Sequence, residues 1–224
     1  MAALNARSIP EELLLLCADP VRGRLRIPYA TFYRVIAGGA VAELLVTGAI
    51  TVEERRITGF QPLGAHDEVA AGVLARLEKA GKRKQQLGLD LALRGIPRKP
   101  GLTPYLDRLT ADGLLTVEKH RFLGLPYRRH VATRPDVRQE IAARVAATLA
   151  REGGAPAAAG PDGQPAERDR QLAGLIGAAR LDRRLYPGST GAPTRRAIRQ
   201  LTKELPIARA VRRAINSDSA ANSS

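Results

Sequence analysis

Tryptophan is missing from this chain, and its aromatic residues are limited to three phenylalanines and five tyrosines. A core of 224 residues must therefore be filled by Leu, Ala, Val and Ile, a composition that favours helices over sheets. Cysteine occurs once, at Cys17, which rules out an intrachain disulfide. Its place at the end of the apolar run Leu13–Cys17 marks it as an inert core thiol and fits a reducing compartment. The three histidines, His66, His120 and His130, lack the HExxH spacing of a zinc hydrolase. GxxxxGK[ST] and GxGxxG are both absent, which excludes the two commonest phosphate cradles. Glu11-Glu12 and Glu53-Glu54 are adjacent in sequence and present no facing acid/base pair. No catalytic residue, metal ligand or cofactor is nominated. No stretch reaches the ~20 apolar residues of a membrane span. Glu11 and Glu12 precede Leu13–Leu16, where a secretory signal would carry basic residues. The expectation is a cytoplasmic protein, or one peripheral on the cytosolic face of a membrane.

Positive charge is abundant and unevenly placed. The net charge is +14, yet residues 1–81 hold nine Lys/Arg and nine Asp/Glu. Residues 82–138 carry thirteen against five, and residues 163–213 twelve against four. A neutral first third joined to two cationic portions implies a basic surface suited to anionic lipid headgroups or nucleic-acid phosphates.

The pattern predicts a mainly α, single helical domain over 8–215, preceded by an N-terminal tail (1–7) and followed by a disordered C-terminal tail (216–224). Ser8-Ile-Pro-Glu-Glu is a helix start, with a capping residue, an early proline and acids at the positive end of the dipole. Residues 29–47 form the most apolar helix, where Ala37, Gly38, Gly39 and Ala40 let a neighbouring helix come close. Ile50–Ile57 reads as a short strand or hairpin. His66–Ala80 reads as an amphipathic helix stopped by Gly81, with 85–94 continuing as helix. Ile96–Gly101 reads as a loop before a helix over 103–112. Ile141, Val145 and Leu149 set out a helix from Pro135 to Glu152. A mobile Gly/Pro/Ala linker (153–165) and helices near 167–186 and 193–214 complete the chain.

The most informative stretch is Leu106–Thr133, LDRLTADGLLTVEKHRFLGLPYRRHVAT. It reads as a helix ended by Gly113, a strand, an apolar tip (Phe122, Leu123, Leu125, Pro126) and a returning strand rich in arginine. One reading is a winged helix, with 103–112 as recognition helix and 114–131 as a wing whose Arg121, Arg128 and Arg129 touch phosphates. Pro104, Asp107 and the apolar tip count against it. The other is a membrane-surface module, in which the tip enters the interface while its arginines stay at phosphate level. The tip could instead meet a second subunit.

The order of motifs bears on this choice. PEELLLL near the start, GRL, AGGAVAELLVTGAI, LDRLTADGLLTVEKHRFL, and then DRQLAGLIGAARLDRRLYP with TRRAIRQL together resemble the Golgi phosphoprotein 3 family, over about residues 8–215. The Ala/Arg-rich composition looks like the bacterial branch. The resemblance implies a helical fold on a core four-helix arrangement with an apolar β-hairpin. It further implies a peripheral membrane adaptor that binds phosphatidylinositol 4-phosphate, with possible self-association through the hairpin and a membrane-protein client. The family pattern has a Trp where Pro28 stands beside Tyr29, and an Arg where Ala37 stands. Its pair of arginines ahead of LDRL falls on Lys99 and Leu102. The expected headgroup-binding residues are Tyr29, Arg34, Arg98, Lys99, Arg128 and Arg129, and the expected inserting or oligomer-contact residues Phe122, Leu123 and Leu125.

Overall fold

A computed structural model describes residues 7–19, 25–63, 68–84, 87–122, 125–152 and 163–221. They form ten helices, a three-stranded antiparallel sheet and a separate two-stranded hairpin. The mainly α expectation holds.

The core is organised around α1 (Ile9–Cys17), buried along its whole length. The Glu11 carboxylate accepts from both the amide and the hydroxyl of Ser8, at 2.7 and 2.8 Å, which fixes the start of the helix. Around α1 pack α2 (Tyr29–Val46), α5 (Arg98–Ala111), α6 (Pro135–Glu152) and α7 (Gly163–Ala178). On α2, Gly38 and Gly39 do what their spacing suggested. A Cβ at Gly38 would lie 2.3 Å from Val211, and one at Gly39 2.8 Å from Leu13. Helices α10 (Pro206–Ala221) and α1 therefore approach α2 from different sides without side-chain interference. Among the described residues α2 is the one helix long and apolar enough to cross a membrane, but 61% of it is buried inside the fold. Length and composition aside, it serves as the central helix of a packed core.

Strands β1 (Ile50–Glu53), β2 (Arg56–Phe60) and β3 (Leu87–Gly88) follow in sheet order, with Ile50, Ile57 and Leu87 closing over the core. Several boundaries differ from expectation for identifiable reasons. Helix α3 (Glu68–Lys84) runs through Gly81, because that glycine faces the Phe60 ring, 3.2 Å from where a Cβ would sit. Residues 87–88 pair with β2 rather than continuing a helix, and α4 is confined to Leu89–Gly95. Helix α5 begins at Arg98, inside the expected loop. Pro97 precedes it, and Pro100 sits in the first turn, where no intrahelical N–H bond is needed.

The expected helix over 167–186 is interrupted: α7 ends at Ala178, Arg180 takes a left-handed φ of 57°, and α8 spans Asp182–Leu185. The expected helix over 193–214 divides into α9 (Ala192–Glu204) and α10, because Leu205 is extended ahead of Pro206. Helix α10 then continues to Ala221, where a disordered tail from 216 was expected. Asp218 is held by Arg34 of α2, and this anchor keeps the last turns helical. Most of the expected linker, 153–162, lies outside the described residues; 163–165 open α7.

Candidate membrane-facing site

The hairpin is built by β4 (Leu115–Phe122) and β5 (Leu125–Ala132), in unbroken antiparallel register from Leu115↔Ala132 to Phe122↔Leu125. Its base is fixed. Gly113 ends α5 with a left-handed φ of 68°, Leu114 and Leu115 are buried, and the Thr133 hydroxyl donates to the Gly113 carbonyl. Beyond the base, the hairpin packs mainly on itself and on α5. It projects from the helical body.

The register pairs Lys119 with Arg128 and Glu118 with Arg129, so three of these four mid-hairpin positions are cationic. The described end of the ribbon is the pair Phe122 and Leu125; Leu123 lies outside the described residues. Arg98 and Lys99 are the first two residues of α5, whose opening turn holds no acid. A helix N-terminus carries partial positive charge.

Tyr29 opens α2 and is 69% exposed, with its ring 6.4 Å from that of Tyr33. It is a surface aromatic, not part of the core edge. Arg34, by contrast, is already engaged. Its Nε and Nη2 donate to the Asp218 carboxylate at 2.9 and 3.0 Å, and this bond holds its pKa above the ordinary guanidinium value. Ala37 is buried and Leu102 packs against the core, so neither position contacts a headgroup. Sequence reasoning missed the Asp218 anchor because it depends on a helix extending past the last strongly apolar position.

Clustered carboxylates elsewhere have a structural role. Arg144 donates to both oxygens of Glu12, at 2.9 and 2.8 Å, and to Asp169 at 2.9 Å, while Thr148 donates to Asp169 at 2.8 Å. One partly buried cation is thus shared by two buried carboxylates. Burial pushes the Glu12 carboxyl above its usual range against the pull of Arg144. Arg144, although burial opposes its charge, is held protonated beyond the ordinary guanidinium range by its two partners. Arg168 likewise reaches Glu43, which also accepts from the Ile9 amide at 2.6 Å. These side chains satisfy one another and tie α1 to α2, α6 and α7. Among the described residues no group of three or more His, Cys, Asp or Glu could hold a metal ion.

The described residues thus form a helical core from which a two-stranded β-ribbon extends. The chain belongs to the Golgi phosphoprotein 3 (GPP34) family, whose profile matches residues 9–217. No curated protein is significantly similar to the chain in sequence.

Proposed function

We propose that this protein is a peripheral membrane adaptor that binds anionic phospholipid, with phosphatidylinositol 4-phosphate as the headgroup suggested by its family. It binds without catalysing a reaction. One observation carries the reading: a hairpin with apolar positions at its described end and cationic positions behind them projects from the helical body. Each basic residue near an anionic leaflet contributes about 1 kcal/mol. Each apolar side chain removed from water adds about 1.5–3 kcal/mol. Two or three of each give reversible attachment, and the exposed Tyr29 and the start of α5 supply further headgroup contacts. We place the attachment on the cytosolic face, a placement with which the unpaired Cys17 is compatible.

The winged-helix alternative requires α5 to present a basic reading face. The exposed positions of α5 include Thr103, Asp107 and Thr110, and Arg108 is paired with Glu11 at 2.7 Å. A carboxylate at the centre of that face favours the lipid reading.

Vesicle flotation tests the proposal. Recovery is expected on vesicles containing phosphatidylinositol 4-phosphate or phosphatidylserine and not on neutral phosphatidylcholine. The double substitution Leu123→Asp, Leu125→Asp should lower partitioning at least ten-fold. Equal recovery on neutral vesicles, or no loss in the double variant, rejects the proposal. A low-salt gel shift on duplex DNA that vanishes in Arg128→Gln, Arg129→Gln would point to the alternative.

A further inference from the structure

The second cationic portion of the chain folds into a groove that the hairpin does not share. A cavity of about 470 Å³ lies where α7, α9 and α10 meet, lined by Arg199, Lys203, Arg209, Arg212 and Arg213. Small-ligand sites fall in the same size range. Helices α7 and α9 come close because of two glycines. A Cβ at Gly174 would lie 2.8 Å from Leu205, and one at Gly177 2.1 Å from the Thr202 hydroxyl. The chain then turns at Leu205-Pro206, which brings the last turn of α9 and the middle of α10 to the same opening.

The charge balance of this groove is uneven. Arg199 lies 3.9 Å from Asp182, and Arg213 lies 3.5 Å from Asp90, which also receives Arg55 at 2.9 Å. Glu204, next to Lys203, accepts from Gln200 at 2.6 Å. Arg212 donates to the Ala178 carbonyl at the end of α7, at 3.0 Å. Burial and the nearby charge of Arg180 hold its pKa below the ordinary guanidinium value. Lys203 and Arg209 have no carboxylate partner among the described residues. Arg213 Nε is shielded from solvent with no acceptor among them. Five cations against Asp90 and Asp182 leave a surplus of three. Arg199, Lys203 and Arg209 are exposed along the groove, and Arg212 and Arg213 are half-buried in it.

We propose that the α7–α9–α10 groove binds a compact ligand carrying two or more phosphate groups, through Lys203, Arg209, Arg212 and Arg213. A single phosphate, with at most two negative charges, does not neutralise the surplus. Guanidinium groups bind phosphate oxygens in bidentate geometry, which suits three arginines on one opening. The ligand is either free in solution or the headgroup of a multiply phosphorylated lipid; the recognising chemistry is the same.

Isothermal titration of the full chain with tripolyphosphate, beside inorganic phosphate, tests this. Saturable binding of tripolyphosphate is expected, at least ten-fold tighter than that of inorganic phosphate. Lys203→Gln, Arg209→Gln should weaken it ten-fold or more. Arg76→Gln, Lys79→Gln on the exposed face of α3, which removes the same charge, should leave it unchanged. Equal weakening in both double variants, equal affinity for the two probes, or no saturation at millimolar tripolyphosphate overturns the proposal. So does binding confined to oligonucleotides. In the Leu123→Asp, Leu125→Asp background, where the hairpin no longer holds vesicles, flotation on vesicles bearing phosphatidylinositol 4,5-bisphosphate separates the two sources: recovery that is lost on adding the groove substitutions indicates a headgroup, and no recovery indicates a free phosphate ligand. The titration variants leave the hairpin untouched, so failure there leaves the hairpin reading standing, and the reverse also holds.

Discussion

Arginine serves opposite ends in two regions of this molecule. Near α1, three arginines reach acids: Arg144 bridges Glu12 and Asp169, Arg168 meets Glu43, and Arg108 meets Glu11. Around the α7–α9–α10 groove, Lys203 and Arg209 have no such partner among the described residues, and in the hairpin Lys119 faces Arg128 in register. The charge is the same; burial and the local supply of carboxylates differ. Where acids match bases, the charges fix helices together. Where they do not, the excess is left for something outside the chain.

The contrast can be broken most forcibly at its paired end. Arg144→Met should destabilise the fold by about 3–5 kcal/mol, since it leaves two buried carboxylates uncompensated. Urea denaturation followed by circular dichroism measures this, and a loss below 1 kcal/mol would contradict the assigned role. Gly38→Val should cost about 1–3 kcal/mol through overpacking against Val211 and Leu175. A double-mutant cycle on Arg34→Gln and Asp218→Asn should give a coupling of about 1 kcal/mol, with faster amide exchange in the last turns of α10. At the unpaired end, Lys203→Gln, Arg209→Gln should shift stability by less than about 0.5 kcal/mol while changing ligand binding. A large stability loss there would mean that these cations belong to the scaffold after all.

One titration sharpens the comparison further. Burial pushes the Cys17 thiol up to about 12. Its folded pKa lies above its unfolded value, so the stability from burying a neutral thiol is complete below about pH 9 and is lost as pH rises toward 12. At pH 8 the native protein should resist a maleimide that labels the urea-unfolded chain rapidly.

Much of the fold was legible in sequence because helical periodicity and capping are local. Ser8 with Glu11, the Gly38-Gly39 pair and the Ile141–Val145–Leu149 repeat each carried their own structural reason. The errors arose where a distant contact decided the outcome. Gly81 continues a helix because Phe60 lies against it, and residues 87–88 become strand because β2 offers an edge. The hairpin was readable from Gly113 and its alternating strands. The groove was not, although Arg199–Lys203 and Arg209–Arg213 both show four-residue spacing, because the convergence of two such faces depends on how α9 and α10 meet.

The solitary sealed sulfur of α1 has a practical consequence. A cysteine placed at Phe122 or Leu125 would be the sole accessible thiol, so an environment-sensitive dye could be attached there without first removing the native cysteine. Its emission would then report directly how deep the ribbon's end sits when the protein meets a vesicle.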